Sequence, residues 1–272
     1  MSKAPTTTTV VLNTEDSWHE HTLLGLFEGA VSLDCAVAFA KDSGMALMRK
    51  ALKGALAKGL KARFVVGLDF YTTDPAALRD LLALTSNPSV KFYLGKERSG
   101  VTFHPKVYAF RYAGSGAVVA GSANLTSGGL MDNWEASLLT RDGGALADEV
   151  RGYIDGLIKR KEIVKASKKA IDDYAERHKR YHTMQKALAR RVHEVVASKG
   201  AVDPLAEVLK EMRSDASDQG FDQQRRLRSQ NADGVPAAID ALVATAGATQ
   251  FKSRYNALIQ LFHSDGLQRR VG

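Results

Sequence analysis

Four residues, Ala113 to Gly116, separate an apolar run at residues 104–112 from a second at residues 117–120. Val107, Tyr108 and Phe110 are β-formers and make the first run a strand, and the second reads as a short buried strand. A parallel crossover needs about a dozen residues or more, so the two are expected as antiparallel neighbours. A third strand, residues 134–140, follows a turn of small and polar residues at 121–129.

Upstream, strand-like runs alternate with helical periodicities. Residues 6–12, 31–40, 60–68 and 89–94 read as strands, the second and third buried on both faces. Helices are expected within 15–29, capped by Asp16 or Ser17, and over 44–58, capped by Ser43. A third runs from Pro75 to about Leu84, with Asp74 at its N-cap. A fourth covers about 144–159. This alternation, joined to the antiparallel strands, predicts an α/β fold with a mixed β-sheet flanked by helices, followed by a mostly α-helical C-terminal region.

Strand parity decides what His104 and Lys106 can do. Residues i and i+2 share a face, so the imidazole and the ammonium stand side by side. Pro105 between them cannot donate to a ladder, which places the pair at a strand start or on an edge strand. The turn then supplies the Ser122 hydroxyl and the Asn124 amide, and Glu135 a carboxylate. A neutral imidazole can attack phosphorus while an ammonium and an amide hold charge on the equatorial oxygens. A carboxylate on the other ring nitrogen would fix the tautomer. This phosphodiester chemistry requires no metal or other cofactor. Lys96 and Arg98, in the loop before His104, are candidates to meet a phosphate.

The set His104-x-Lys106, Gly121-Ser122-x-Asn124 and Glu135 resembles the phospholipase D superfamily over roughly residues 10–160. The likeness is to its metal-independent nucleases, restriction endonucleases among them. Two departures stand out: Arg111 occupies the place of an aspartate five residues after the lysine, and Asn124 follows Ser122 by two residues where three is common. Members of this superfamily generally use two His-Lys motifs, one histidine attacking and one protonating the leaving oxygen. No second H-x-K occurs in this chain. The resemblance therefore implies a homodimer whose two His104 side chains face one phosphate. It further implies a phosphohistidine intermediate, with Lys106 and Asn124 on the non-bridging oxygens, Ser122 supporting them and Glu135 orienting His104. A role in restriction or defence follows from the resemblance alone.

Charge separates the two ends of the chain. Residues 1–159 hold 17 Lys+Arg against 16 Asp+Glu, and residues 160–272 hold 21 against 14, so the net charges are +1 and +7. Two domains are expected: a phospholipase D-like catalytic domain at 1–159 and a basic helical domain at 160–272. The basic part suits nucleic acid, DNA before RNA, a dimer contact or a partner protein. Its first helix carries a stripe from Val164 through Ile171, Tyr174, His178 and Tyr181 to Val195, spaced alternately three and four. His178 and His182 have a ligand spacing but no acidic or cysteine companion in that stripe. His19 and His21, two apart, do not share a helix face. Further helices are expected at 204–212, 235–248 and 250–262, around a Gln/Arg-rich segment at 223–228.

The single cysteine, Cys35, excludes a disulfide framework. The N-terminus has no apolar signal region and no run is long enough to span a bilayer, so a cytoplasmic protein without membrane association is expected. Two other readings remain: a catalytically silent nucleic-acid-binding or assembly module, and a phospholipid hydrolase.

Overall fold

A computed structural model describes residues 5–14, 17–97 and 101–199. Eight strands form one mixed sheet. In chain order they are β1 (Thr7–Leu12), β2 (Ser32–Val37), β3 (Lys61–Val66), β4 (Val90–Gly95), β5 (Lys106–Arg111), β6 (Gly116–Gly121), β7 (Ala136–Asp142) and β8 (Ile163–Lys165). Their order across the sheet is β1-β7-β6-β5-β2-β3-β4-β8. The helices are α1 (His19–Leu26), α2 (Asp42–Ala57), α3 (Pro75–Leu84), α4 (Ala145–Lys159) and α5 (Lys168–Lys199).

β2, β3 and β4 are parallel and joined through α2 and α3, while β5, β6 and β7 run antiparallel to their neighbours. The mixed α/β sheet predicted from the sequence is therefore present. Its two faces follow from strand parity. Cys35, Phe64, Tyr108 and Phe110 meet Met45, Met48 and Leu52 of α2. Their chain neighbours Ala36 and Val65 pack on Ile154 and Leu157 of α4. β2 is buried at every residue because both faces are covered. Asp34, only 4% exposed, is neutralised on the α4 side by Arg63 at 2.6 Å and Arg151 at 3.1 Å.

Several local expectations need correction. Ser43 lies inside the first turn of α2, whose N-cap is Lys41, and its hydroxyl accepts the Ser127 N–H at 3.2 Å. Asp74 is the N-cap of α3, but its carboxylate accepts the Asp42 N–H of α2 at 3.2 Å. Ser17 does not cap α1. Trp18 holds the N-cap position, and Asn13 Oδ1 accepts the His19 N–H at 3.0 Å. Asp16 lies outside the described residues. β5 is central, so Pro105 marks a strand start, and its carbonyl accepts the Ala38 N–H at 2.7 Å.

The sheet continues past residue 159, because β8 pairs antiparallel with β4. Three residues are too few for a periodicity to show. Val164 thus belongs to a strand, and the helical stripe begins later, with Ile171 and Tyr174 buried. The chain divides into compact units at 1–178 and 179–272; of the second, only the α5 residues up to Lys199 are described. The helices expected beyond residue 200 and the 223–228 segment lie outside the described residues. Among the described residues no helix is long and apolar enough to cross a membrane.

Candidate active site

The topology collects chemistry at one end of the sheet. β2, β3 and β4 end there, β5 and β7 begin there, and β6 ends there. Phe39 follows β2, Asp69 follows β3 and Lys96 follows β4. His104 precedes β5, Ser122 and Asn124 follow β6, and Glu135 precedes β7. Strand ends expose backbone and side chains that the ladders no longer occupy, which is where open α/β sheets take their ligands.

His104 and Lys106 meet as parity requires. Lys106 Nζ lies 2.7 Å from His104 Nδ1 and 3.2 Å from the His104 carbonyl. Burial and the adjacent ammonium push the His104 imidazole below its ordinary pKa, against an opposing pull from the Asp69 carboxylate. Burial also lowers Lys106, with Glu135 opposing. A histidine kept neutral has a lone pair for attack, which a protonated one lacks.

Asn124 is fixed by the segment that follows β2. Its Oδ1 accepts the Phe39 N–H at 3.0 Å. The segments after β2 and β6 are joined further by Leu125 N–H to Phe39 O at 3.2 Å and Lys41 N–H to Leu125 O at 2.9 Å. The Phe39 ring stands edge-to-face on His104, with centroids 5.8 Å apart. Phe39 therefore touches both the imidazole and the amide and sets their spacing.

Ser122 and Glu135 are bonded to each other, the hydroxyl donating to the carboxylate. The Ala136 N–H also donates to Ser122 Oγ at 3.0 Å. Asn133 Nδ2 reaches the other Glu135 oxygen at 3.4 Å. Glu135 lies just before β7 rather than inside a strand. Its carboxylate is held by Ser122 and Asn133, and within one chain no hydrogen bond joins it to His104 among the described residues.

Lys96 borders a shallow depression shared with His104, Pro105 and Tyr153. Arg98 lies outside the described residues. Arg111 is bound to α4 through Asp148, with Nε to Oδ1 at 3.1 Å and Nη2 to Oδ2 at 2.9 Å, so this side chain serves helix docking.

Three participants were not singled out in the sequence. Asp69 Oδ2 accepts the N–H of Phe103, directly before His104, at 3.0 Å. Phe39 looked like core. His19, weighed only as a metal ligand, is fully buried behind the Ser122–Glu135 pair. Asn13 Oδ1 takes its Nδ1–H at 2.7 Å, and Ser137 Oγ lies 2.8 Å from Nε2. Asn13 Nδ2 donates in turn to the Asn133 carbonyl at 2.9 Å, holding the residue that bonds Glu135. His21 is exposed beside Trp18, so the two histidines diverge as expected. No sequence pattern marks this network, because its members come from the segment after β1, from α1, and from β7 and the segment before it.

The mixed sheet thus carries a His-Lys pair, an amide and a carboxylate at its strand ends. Residues 32–158 match the family model described as cardiolipin synthase, PLD-like domain, which supports the superfamily read from His104, Lys106 and Asn124. Among solved structures, the chain is similar to NucT from Helicobacter pylori, at 17% identity and TM-score 0.46, covering 60% of this chain and 100% of that one. It is similar to Nuc, a phospholipase D family member from Salmonella typhimurium, at 18% identity and TM-score 0.45, covering 60% and 99%. It is also similar to a phosphatidylserine synthase from Haemophilus influenzae Rd KW20, at 13% identity and TM-score 0.49, covering 68% and 45%. No curated protein matches the chain.

Proposed function

We propose that this protein is a metal-independent phosphodiesterase that cleaves nucleic acid, DNA before RNA. The observation that carries the reading is the pairing of a neutral-leaning His104 with Lys106 beside the amide of Asn124. In the first step a His104 ring nitrogen forms a bond to phosphorus and the bond to the leaving oxygen breaks. That oxygen needs a proton. In the second step water attacks phosphorus, loses its proton to the group that protonated the leaving oxygen, and the N–P bond breaks. Lys106 and the Asn124 amide donate to the non-bridging oxygens, where charge grows. Lys96 and Arg98 hold flanking phosphates.

One chain supplies one histidine, and the chemistry needs two. A homodimer provides the second, so the leaving group is protonated by the partner's His104. The basic residues 160–272 serve as a nucleic-acid or dimer contact.

The test is cleavage of plasmid and single-stranded DNA in EDTA, by the full chain and by His104→Ala. Cleavage by the wild type alone is expected. Full activity in the variant would overturn the mechanism, and binding without cleavage would favour a silent binding module. Turnover of phospholipid vesicles in place of DNA would favour a lipid enzyme.

A further inference from the structure

Beside the site is a turn whose backbone is strained. Phe70 has φ 61° and the next residue, Tyr71, has φ 51°. Left-handed backbone is disfavoured for residues with a Cβ and recurs where function holds it in place. Here three anchors hold it. Asp69 accepts the Phe103 N–H at 3.0 Å. Tyr71 is buried and stacked on Tyr174, with centroids 5.9 Å apart. Thr73 Oγ1 donates to the Gly67 carbonyl at 2.8 Å.

The effect is to send Tyr71 inward and turn Phe70 out. The Phe70 ring is 46% exposed. It stands edge-to-face on Phe39, with centroids 6.4 Å apart, and Phe39 stands in the same way on His104. A large apolar ring is thus held in solvent two ring contacts from the nucleophile. The fold gains little from this, since burying the ring would be favoured.

We propose that Phe70 is a stacking platform for the nucleobase next to the scissile phosphodiester, so that unpaired nucleotides are the preferred substrate. This rests on the nucleic-acid reading above. A planar base joined to its phosphate through a sugar matches an exposed aromatic ring separated from the His-Lys pair by the Phe39 ring. Stacking on a side chain is open to an unpaired base but closed to one inside a duplex, whose faces are covered by its neighbours. The ring accepts any base, so the platform selects strandedness and not sequence.

The experiment compares a single-stranded oligonucleotide with the same backbone carrying abasic sites throughout, using the full chain. Wild type should prefer the base-bearing strand in kcat/KM by about tenfold or more. Phe70→Ala should remove the preference, while Phe70→Trp keeps it. Phe70→Gly accepts the left-handed backbone freely, so it guards against misfolding and should behave like Phe70→Ala. Equal losses on both strands, or none on either, would overturn the proposal. Anisotropy of both strands on His104→Ala protein separates this proposal from the hydrolytic one. Base-dependent binding lost in a Phe70→Gly, His104→Ala protein supports the platform even without cleavage. Binding to phosphatidylglycerol vesicles that needs Phe70, with no dependence on bases, would overturn it.

Discussion

Asn124 Oδ1 accepts the backbone N–H of Phe39 at 3.0 Å, which commits the acceptor end of the amide to the protein. The donor end is the part left for a ligand. Asn124→Asp keeps an acceptor for Phe39 but replaces the donor with negative charge facing the phosphate. Turnover should fall about a hundredfold or more, with the melting temperature close to wild type. Asn124→Ala should lose turnover and also stability, by about 1–3 kcal/mol, because the Phe39 N–H is left unpaired. Steady-state kinetics beside thermal melts distinguish the two.

The acid limb of activity should follow His104. Its pKa is lowered by burial and by Lys106, so the neutral form persists below the ordinary value of about 6.5. Activity should be lost as pH falls through that lowered value. Lys106→Gln removes the neighbouring cation, which raises the pKa and moves the acid limb to higher pH. A pH profile of kcat/KM that stays in place in Lys106→Gln would contradict this coupling.

His19 should make stability depend on pH. Burial lowers its pKa in the folded protein, with Glu135 opposing. Above the unfolded value, about 6.5, both states hold it neutral. Below that value the unfolded chain takes the proton more readily, so stability falls as pH drops toward the folded pKa. Denaturant midpoints should decline from pH 7 to about pH 5, with a shallower slope in His19→Asn.

Gly129 should tolerate no side chain. A Cβ there would lie 2.5 Å from the Asn124 carbonyl oxygen and 2.7 Å from the Asn124 nitrogen. Gly129→Ala is expected to cost about 1–3 kcal/mol and to reduce turnover by displacing the amide. Gly152, on the exposed side of α4, has nothing within 4 Å of such a carbon. Gly152→Ala should be neutral or stabilising by up to about 1 kcal/mol. Melting temperatures of the two variants provide the comparison.

Arg111 should be structural. Removing its paired contacts to the half-exposed Asp148 in Arg111→Ala should lower stability by about 1 kcal/mol or less and leave kcat unchanged. Kinetic assays below the melting transition would show it.

What the sequence alone determined is what local chemistry controls. Alternation and β-branching located seven of the eight strands, all but the three-residue β8. The four-residue connection before Ala117 imposed an antiparallel pair, and the i, i+2 spacing placed Lys106 beside His104. Tertiary structure decided what depends on partners distant in the chain. Phe39 and Asn124 are 85 residues apart, and His19 and Ser137 are 118 apart. Sheet order brings them together, and it arises from packing both faces of the sheet at once. The amide's orientation, the destination of the Glu135 carboxylate and the outward turn of Phe70 are therefore properties of the folded chain.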